Sequence, residues 1–246
     1  MKTFADKVIA FNKSVNFTGE LPAGVSMMNP FKEDKSIIPL TVLFYRKFYN
    51  DFNKRHLVLG INPGRFGGGV TGIPFTDSKR LVEDCDIPYG GKNTHETSSV
   101  FIYEMIAAYG GPRDFYSKFY INSICPLGFT AIGNKGTEIN YNYYDSKELT
   151  DAVYEFMVES IQKQLAMGID TDVCFCFGTG KNEKFLQALN KEKRFFKHIV
   201  ALEHPRFIMQ YKSKMKQYYI DKYLTAFSEV KDKNFFHRIV KNQTHK

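Results

Sequence analysis

A chain of 246 residues, 43% hydrophobic and 24% charged, has enough apolar mass for a real core, as one large domain or two small ones. No run approaches the ~18 consecutive apolar residues of a membrane span, and charges interrupt the apolar residues at the N-terminus. The sequence therefore predicts an intracellular protein, cytoplasmic if bacterial, with no membrane partner. The net charge of +8 is concentrated: from His204 onward there are ten Lys or Arg against three Asp or Glu, while the preceding 203 residues hold 24 against 23. Such a concentration suits a polyanionic partner, and equally a solubilising tail.

In chain order, residues 1–56 read as a helical N-terminal extension. Phe4, Val8, Ile9 and Phe11 lie partly at helical spacing, a proline-containing loop spans 22–39, and a helix is predicted near 41–52. Strands are predicted at 57–61, 119–124, 173–177 and 198–202. Helical patterns fall between and after them at 98–109, 146–167, 181–189 and 214–227, with Ser146 as the N-cap of the second of these. Strands alternating with helices predict an α/β fold, a three-layer sandwich with a central, mostly parallel four-stranded sheet and helices on both faces. No repeat or linker divides the chain, so a single domain over 1–246 is expected, with a core at 57–224 and a basic segment at 225–246. The four cysteines, Cys85, Cys125, Cys174 and Cys176, include no C-x-x-C pair. They read as buried free thiols, with Cys174 and Cys176 on one face of a strand, and no metal or cofactor is implied.

In such a sheet, ligands bind outside the carboxyl ends of the strands. The first predicted strand runs into Asn62-Pro63-Gly64 and then three consecutive glycines, closing on Pro74-Phe75. The second holds Asn122 in an apolar run, and the fourth ends in Glu203-His204-Pro205. Two asparagines and a histidine are thus expected to converge, with Glu203 facing the other way. Each has a plain structural alternative. Asn62 before proline can be a turn former, Asn122 a bonded core amide, and His204 a surface loop residue. Neither G-x-x-x-x-G-K-[ST] nor G-x-G-x-x-G is present, which argues against a nucleoside triphosphate site.

Together, G-I-N-P-G at 60–64, G-I-P-F at 72–75, F-Y-I-N-S-I-C-P-L-G-F at 119–129 and E-H-P at 203–205 resemble the uracil-DNA glycosylase superfamily. The N-x-x-C-P-L pattern starting at Asn122 and S-S-V-F at 98–101 look most like its single-strand-selective monofunctional branch. G-I-N-P-G is equally like the mismatch-specific uracil/thymine branch. The resemblance covers 57–224. It departs after His204, where the family's H-P-S-P-R-N is replaced by His204-Pro-Arg-Phe-Ile-Met-Gln-Tyr211, so different residues are expected to wedge into duplex DNA.

The resemblance implies hydrolysis of the N-glycosidic bond of uracil in single- or double-stranded DNA, with 5-hydroxymethyluracil a further substrate, by a base-flipping monomer that leaves an abasic site. It assigns Phe75 as the floor under the flipped base and Asn122 as the reader of its amide edge. Gly64 is placed beside C5, where a bare backbone leaves room. His204 becomes the donor to O2 and Asn62 the holder of the attacking water. Arg206, Lys212 and Lys214 follow His204 closely enough to meet phosphates. Two other classes stay open: a catalytically inactive nucleic-acid binder, and a nucleoside hydrolase, which would want clustered aspartates that the strand ends lack.

Overall fold

The computed structural model describes residues 1–228; of the basic segment expected at 225–246, residues 229–246 lie outside the described residues. In chain order the elements are α1 (Phe4–Ser14), β1 (Val25–Met28), α2 (Pro30–Glu33), α3 (Ile37–Phe48), β2 (Arg55–Gly60), α4 (Gly68–Thr71), α5 (Ser78–Glu83), α6 (Thr97–Tyr109), α7 (Pro112–Tyr116), β3 (Phe119–Ser123), β4 (Gly128–Ile132) and β5 (Glu138–Tyr141). Then follow α8 (Lys147–Leu165), β6 (Ile169–Phe177), α9 (Lys181–Lys193), β7 (His198–Leu202), α10 (Pro205–Tyr211), a 3₁₀ turn at Ser213–Met215 and α11 (Lys216–Ser228). The four strands read from the sequence form one sheet in the order β3-β2-β6-β7, every pair parallel. Helices cover both of its faces, so the α/β sandwich is observed.

The helices start where local chemistry starts them. Thr3 and Asp6 form a reciprocal capping box at α1, the Asp6 amide donating to Thr3 Oγ1 at 3.2 Å and the Thr3 amide to Asp6 Oδ2 at 2.8 Å. Ser146 caps α8, accepting from the Leu149 amide at 3.1 Å, and Leu149, Val153, Met157 and Ile161 are fully buried along one face. α3 begins at Ile37, ahead of the predicted start, because Pro39 is tolerated in a first turn, where no intrahelical N–H is needed. All four cysteines are buried and free.

Parallel pairing puts directly opposite residues on the same face. His56, Val58 and Gly60 of β2 thus share a face with Phe119, Ile121 and Ser123 of β3. Phe119 packs there against Phe115 and Phe227, ring centroids 5.0 and 4.7 Å away, beneath α7 and α11. The opposite face carries Tyr120 and Asn122. Tyr120 meets Phe4 of α1 at 5.4 Å and Tyr49, just after α3, at 6.0 Å. A second sheet was not anticipated: β1, β4 and β5 pair antiparallel in the order β1-β4-β5. Its strands are short, and β1 and β5 hold no fully buried residue, so neither an apolar run nor a clean alternation announces them. It carries the chain from β3 to α8 across the carboxyl edge of the parallel sheet.

Candidate active site

Because all four strands of the main sheet run the same way, their carboxyl ends open on one edge, and a cavity of about 240 Å³ lies there. Asn62, Gly64, Phe75 and His204 all line it.

Asn62 sits two residues beyond β2, in the turn that Pro63 and Gly64 continue. Its Nδ2 donates to the Tyr141 carbonyl at 3.1 Å, and its Oδ1 accepts from the Tyr143 amide at 3.1 Å. The loop between β5 and α8 therefore holds this amide in one orientation, with one N–H and one lone pair still to offer. That loop is itself anchored: Tyr143 Oη donates to Asn182 Oδ1 at 2.8 Å, and Asn182 Nδ2 donates to the Phe177 carbonyl at 3.0 Å.

Phe75 has φ 53°, a left-handed conformation unusual for an aromatic residue. Its ring stands edge-on to Phe177, 5.5 Å between centroids, and 5.6 Å from the His204 ring. Gly60 makes the approach possible, since a Cβ there would come 2.8 Å from the Phe75 ring. One flat apolar face is thus held beside an imidazole.

His204 caps α10: its Nδ1 accepts the Arg206 amide at 3.1 Å, which leaves the ring proton on Nε2. Burial, and secondarily the Arg206 charge, holds the imidazolium down to about 4. Near neutrality His204 is a neutral ring donating through Nε2. Glu203 turns away, its carboxylate bonded to Lys222 Nζ at 2.7 and 2.9 Å. Tyr223 Oη bonds the Glu203 carbonyl and fixes the backbone just before the histidine.

Asn122 requires a correction. It does not line the cavity. Its side chain faces the α1 and α3 side of the sheet, where Nδ2 donates to Tyr120 Oη at 2.7 Å and Oδ1 accepts the Ser123 amide at 2.8 Å. One N–H and one lone pair of the amide are engaged inside the protein, and the side chain borders a small neighbouring pocket with Pro63, Gly68 and Pro74 rather than the main cavity. Ser123, one residue on and therefore on the other face, lines the cavity instead, opposite Gly60 on β2. The period of two in a strand was the signal that separates the pair.

Arg206 lines the cavity mouth, together with Phe207 and Tyr211, whose exposed rings lie 5.6 Å apart on α10. Lys212 and Lys214 are exposed just beyond α10 and do not line the cavity. Sequence reasoning missed Glu96, Ser123 and the Asn140–Tyr144 segment. Glu96 comes from the start of α6, and its carboxyl is raised to about 7 by burial first and Asp77 second, with Arg206 opposing. Among the described residues no cluster of His, Cys, Asp or Glu could hold a metal ion.

Comparison with known proteins is consistent with this geometry. The family described as the uracil DNA glycosylase superfamily matches residues 46–228. The crystal structure of wild-type SMUG2 from Pedobacter heparinus is similar at 63% identity, over 94% of this chain and 99% of that one, with a TM-score of 0.91. No curated protein matches.

Proposed function

The chain belongs to the uracil-DNA glycosylase superfamily; it is a monofunctional uracil-DNA glycosylase of base-excision repair, and we propose that the cavity at the carboxyl edge of the sheet is where uracil is held and released. The supporting observation is the convergence of Asn62, Phe75 and His204 on that cavity from three separate parts of the chain.

The roles follow from the geometry. A uracil extruded from DNA lies on the Phe75 ring, which Phe177 and Gly60 hold in place. Breaking the N1–C1′ bond leaves negative charge on O2, and the neutral His204 Nε2–H, oriented before the reaction, donates to it. Asn62 offers its remaining N–H and lone pair to the attacking water. An amide is a weak base, so its contribution is positioning rather than proton removal. No lysine lines the cavity among the described residues, which accords with water rather than an amine as nucleophile.

Ser123 takes the place given to Asn122 at the base edge. A hydroxyl both donates and accepts, so it does not fix the donor–acceptor pattern of uracil against cytosine as an amide would. Selectivity then leans on the leaving group: uracil spreads the developing charge over two carbonyls, and cytosine has one. Arg206, Lys212 and Lys214 are assigned to the DNA backbone, with Phe207 and Tyr211 beside them at the mouth. We further propose a monomer that acts on DNA inside the cell.

The test is single-turnover incubation with single- and double-stranded uracil oligonucleotides, followed by alkaline cleavage at abasic sites. Strand breaks only after alkali are expected. Breaks without alkali would contradict the monofunctional assignment. Absence of release from both substrates would leave an inactive nucleic-acid binder.

A further inference from the structure

Asn62 can hold a water only while its amide keeps one orientation, and backbone groups set that orientation. The Tyr143 amide donates to its Oδ1 and the Tyr141 carbonyl accepts from its Nδ2, each at 3.1 Å. A connecting segment is only as fixed as whatever ties it down, and Tyr143 is tied on every side. It is fully buried and does not line the cavity. Its ring packs edge-on against Tyr144 and against Phe185 of α9, centroids 5.0 and 4.9 Å away. Its carbonyl accepts from Thr150 Oγ1 of α8 at 2.9 Å, and its hydroxyl donates to Asn182 Oδ1 at 2.8 Å. Asn182, 1% exposed in the first turn of α9, carries the tie onward. Its Nδ2 donates to the Phe177 carbonyl at the end of β6 at 3.0 Å, and to Cys176 Sγ at 3.4 Å. Gly178 has φ 121°, and a Cβ there would come 3.2 Å from the Asn182 Cβ, so glycine lets α9 close onto the strand end. β6 lies beside β2, with Cys176 opposite Leu59. The circuit therefore returns to the sheet from which Asn62 emerges.

We propose that Tyr143 and Asn182 are positioning residues for base excision that act through Asn62. The proposal rests on the uracil-excision reading above, with Asn62 as the holder of the attacking water. When the bond between the Tyr143 hydroxyl and Asn182 is lost, the segment after β5 is free to shift. Asn62 Oδ1 follows the amide it accepts from, and the water leaves its line to C1′. Displacing a reacting group by 1 Å can cost on the order of 10²-fold in rate, and deleting one hydroxyl while the ring stays packed should cost about tenfold. Neither residue reaches the cavity, so affinity for DNA should not change.

The experiment is a double-mutant cycle on single-turnover uracil release from a single-stranded oligonucleotide at saturating enzyme. Tyr143→Phe, which removes only the hydroxyl, is introduced into wild type, Asn62→Ala and His204→Ala, and each protein is checked by thermal melting. It should slow release about tenfold in wild type and in His204→Ala, because the histidine acts independently. In Asn62→Ala it should slow release less than about twofold, since the residue it positions is gone. Affinity for abasic DNA should stay at the wild-type value throughout. A merely structural role would slow all three backgrounds alike. Asn182→Ser breaks the same tie from the other side; it should show the same pattern, and it serves if Tyr143→Phe does not fold. Equal slowing with and without Asn62, or no slowing in the folded variants, overturns the positioning role alone. Absence of uracil release from wild type overturns the underlying functional reading, and this proposal with it.

Discussion

His204 shows how one backbone hydrogen bond decides a chemical role. The Arg206 amide occupies Nδ1, so Nε2 carries the proton, and burial keeps the ring neutral down to about 4. Replacement by alanine should reduce single-turnover uracil release by about 10²–10³, the usual loss for one deleted oxyanion donor. Binding to abasic DNA should be nearly unchanged, because the donation strengthens only as charge develops on O2. Asn62→Ala should reduce the rate by a similar factor, with melting used to separate the loss of the water site from the loss of its tie to the β5–α8 loop. A near wild-type rate in His204→Ala would remove the anion-stabilising role. Asn122 and Ser123 make the complementary pair. Asn122→Ala deprives Tyr120 Oη of its partner inside the core, and about 1–3 kcal/mol of stability should be lost with base selectivity intact. Ser123→Ala should do the reverse, with a normal melt and slower excision. A change in uracil-to-cytosine preference on replacing Asn122, with no such change on replacing Ser123, would return the base-reading role to Asn122.

At the scale of elements, α10 joins the chemistry to the DNA surface. Its first turn is capped by the catalytic candidate, and its exposed side presents Arg206, Phe207 and Tyr211 at the cavity mouth, with Lys212 and Lys214 following. If the three cations meet phosphates, replacing all three by alanine should weaken binding to every DNA sequence alike. The slope of log affinity against log salt should fall in magnitude by about one for each phosphate left without its cation. An unchanged slope would make these residues a solvated face. The small β1-β4-β5 sheet matters for a different reason: it delivers the Tyr141 carbonyl and Tyr143 amide that orient Asn62, so the water site depends on a sheet the sequence did not announce.

For the whole molecule, the cavity leaves a pH signature in stability. Glu96 is raised from 4.5 to about 7, so between those values the folded state holds a proton that the unfolded chain has released, and stability falls as pH rises. His204 is lowered from 6.5 to about 4, so between those values the unfolded chain binds the extra proton, and stability rises with pH. The two oppose each other from about 4.5 to 6.5, and above that only the Glu96 contribution continues, to about 7. Glu96→Gln removes one side. Its melting temperature relative to wild type should therefore increase between about pH 5 and pH 8, by the thermodynamic linkage of protons to folding. A difference independent of pH would mean that the Glu96 carboxyl titrates in the fold as it does in water.

The sequence by itself determined the sheet and the edge at which the chemistry gathers. Apolar runs separated by helical periodicity specify parallel strands, and parallel strands bring their carboxyl ends together, so Asn62 after β2 and His204 after β7 could be placed in one region. Capping signals such as Ser146 are local and were legible for the same reason. Only the tertiary structure decided which side chains enter the cavity. β3 is buried on both faces from Phe119 to Ser123, so no alternation of polarity distinguishes the face of Asn122 from that of Ser123; the packing of Tyr120 under α1 and α3 does. Likewise, nothing in a run of glycines reveals what fills the space they leave. The carboxyl against Gly64 and Gly67 comes from the start of α6, held there by Asp77 through hydrogen bonds between segments distant in sequence, which local pattern cannot encode.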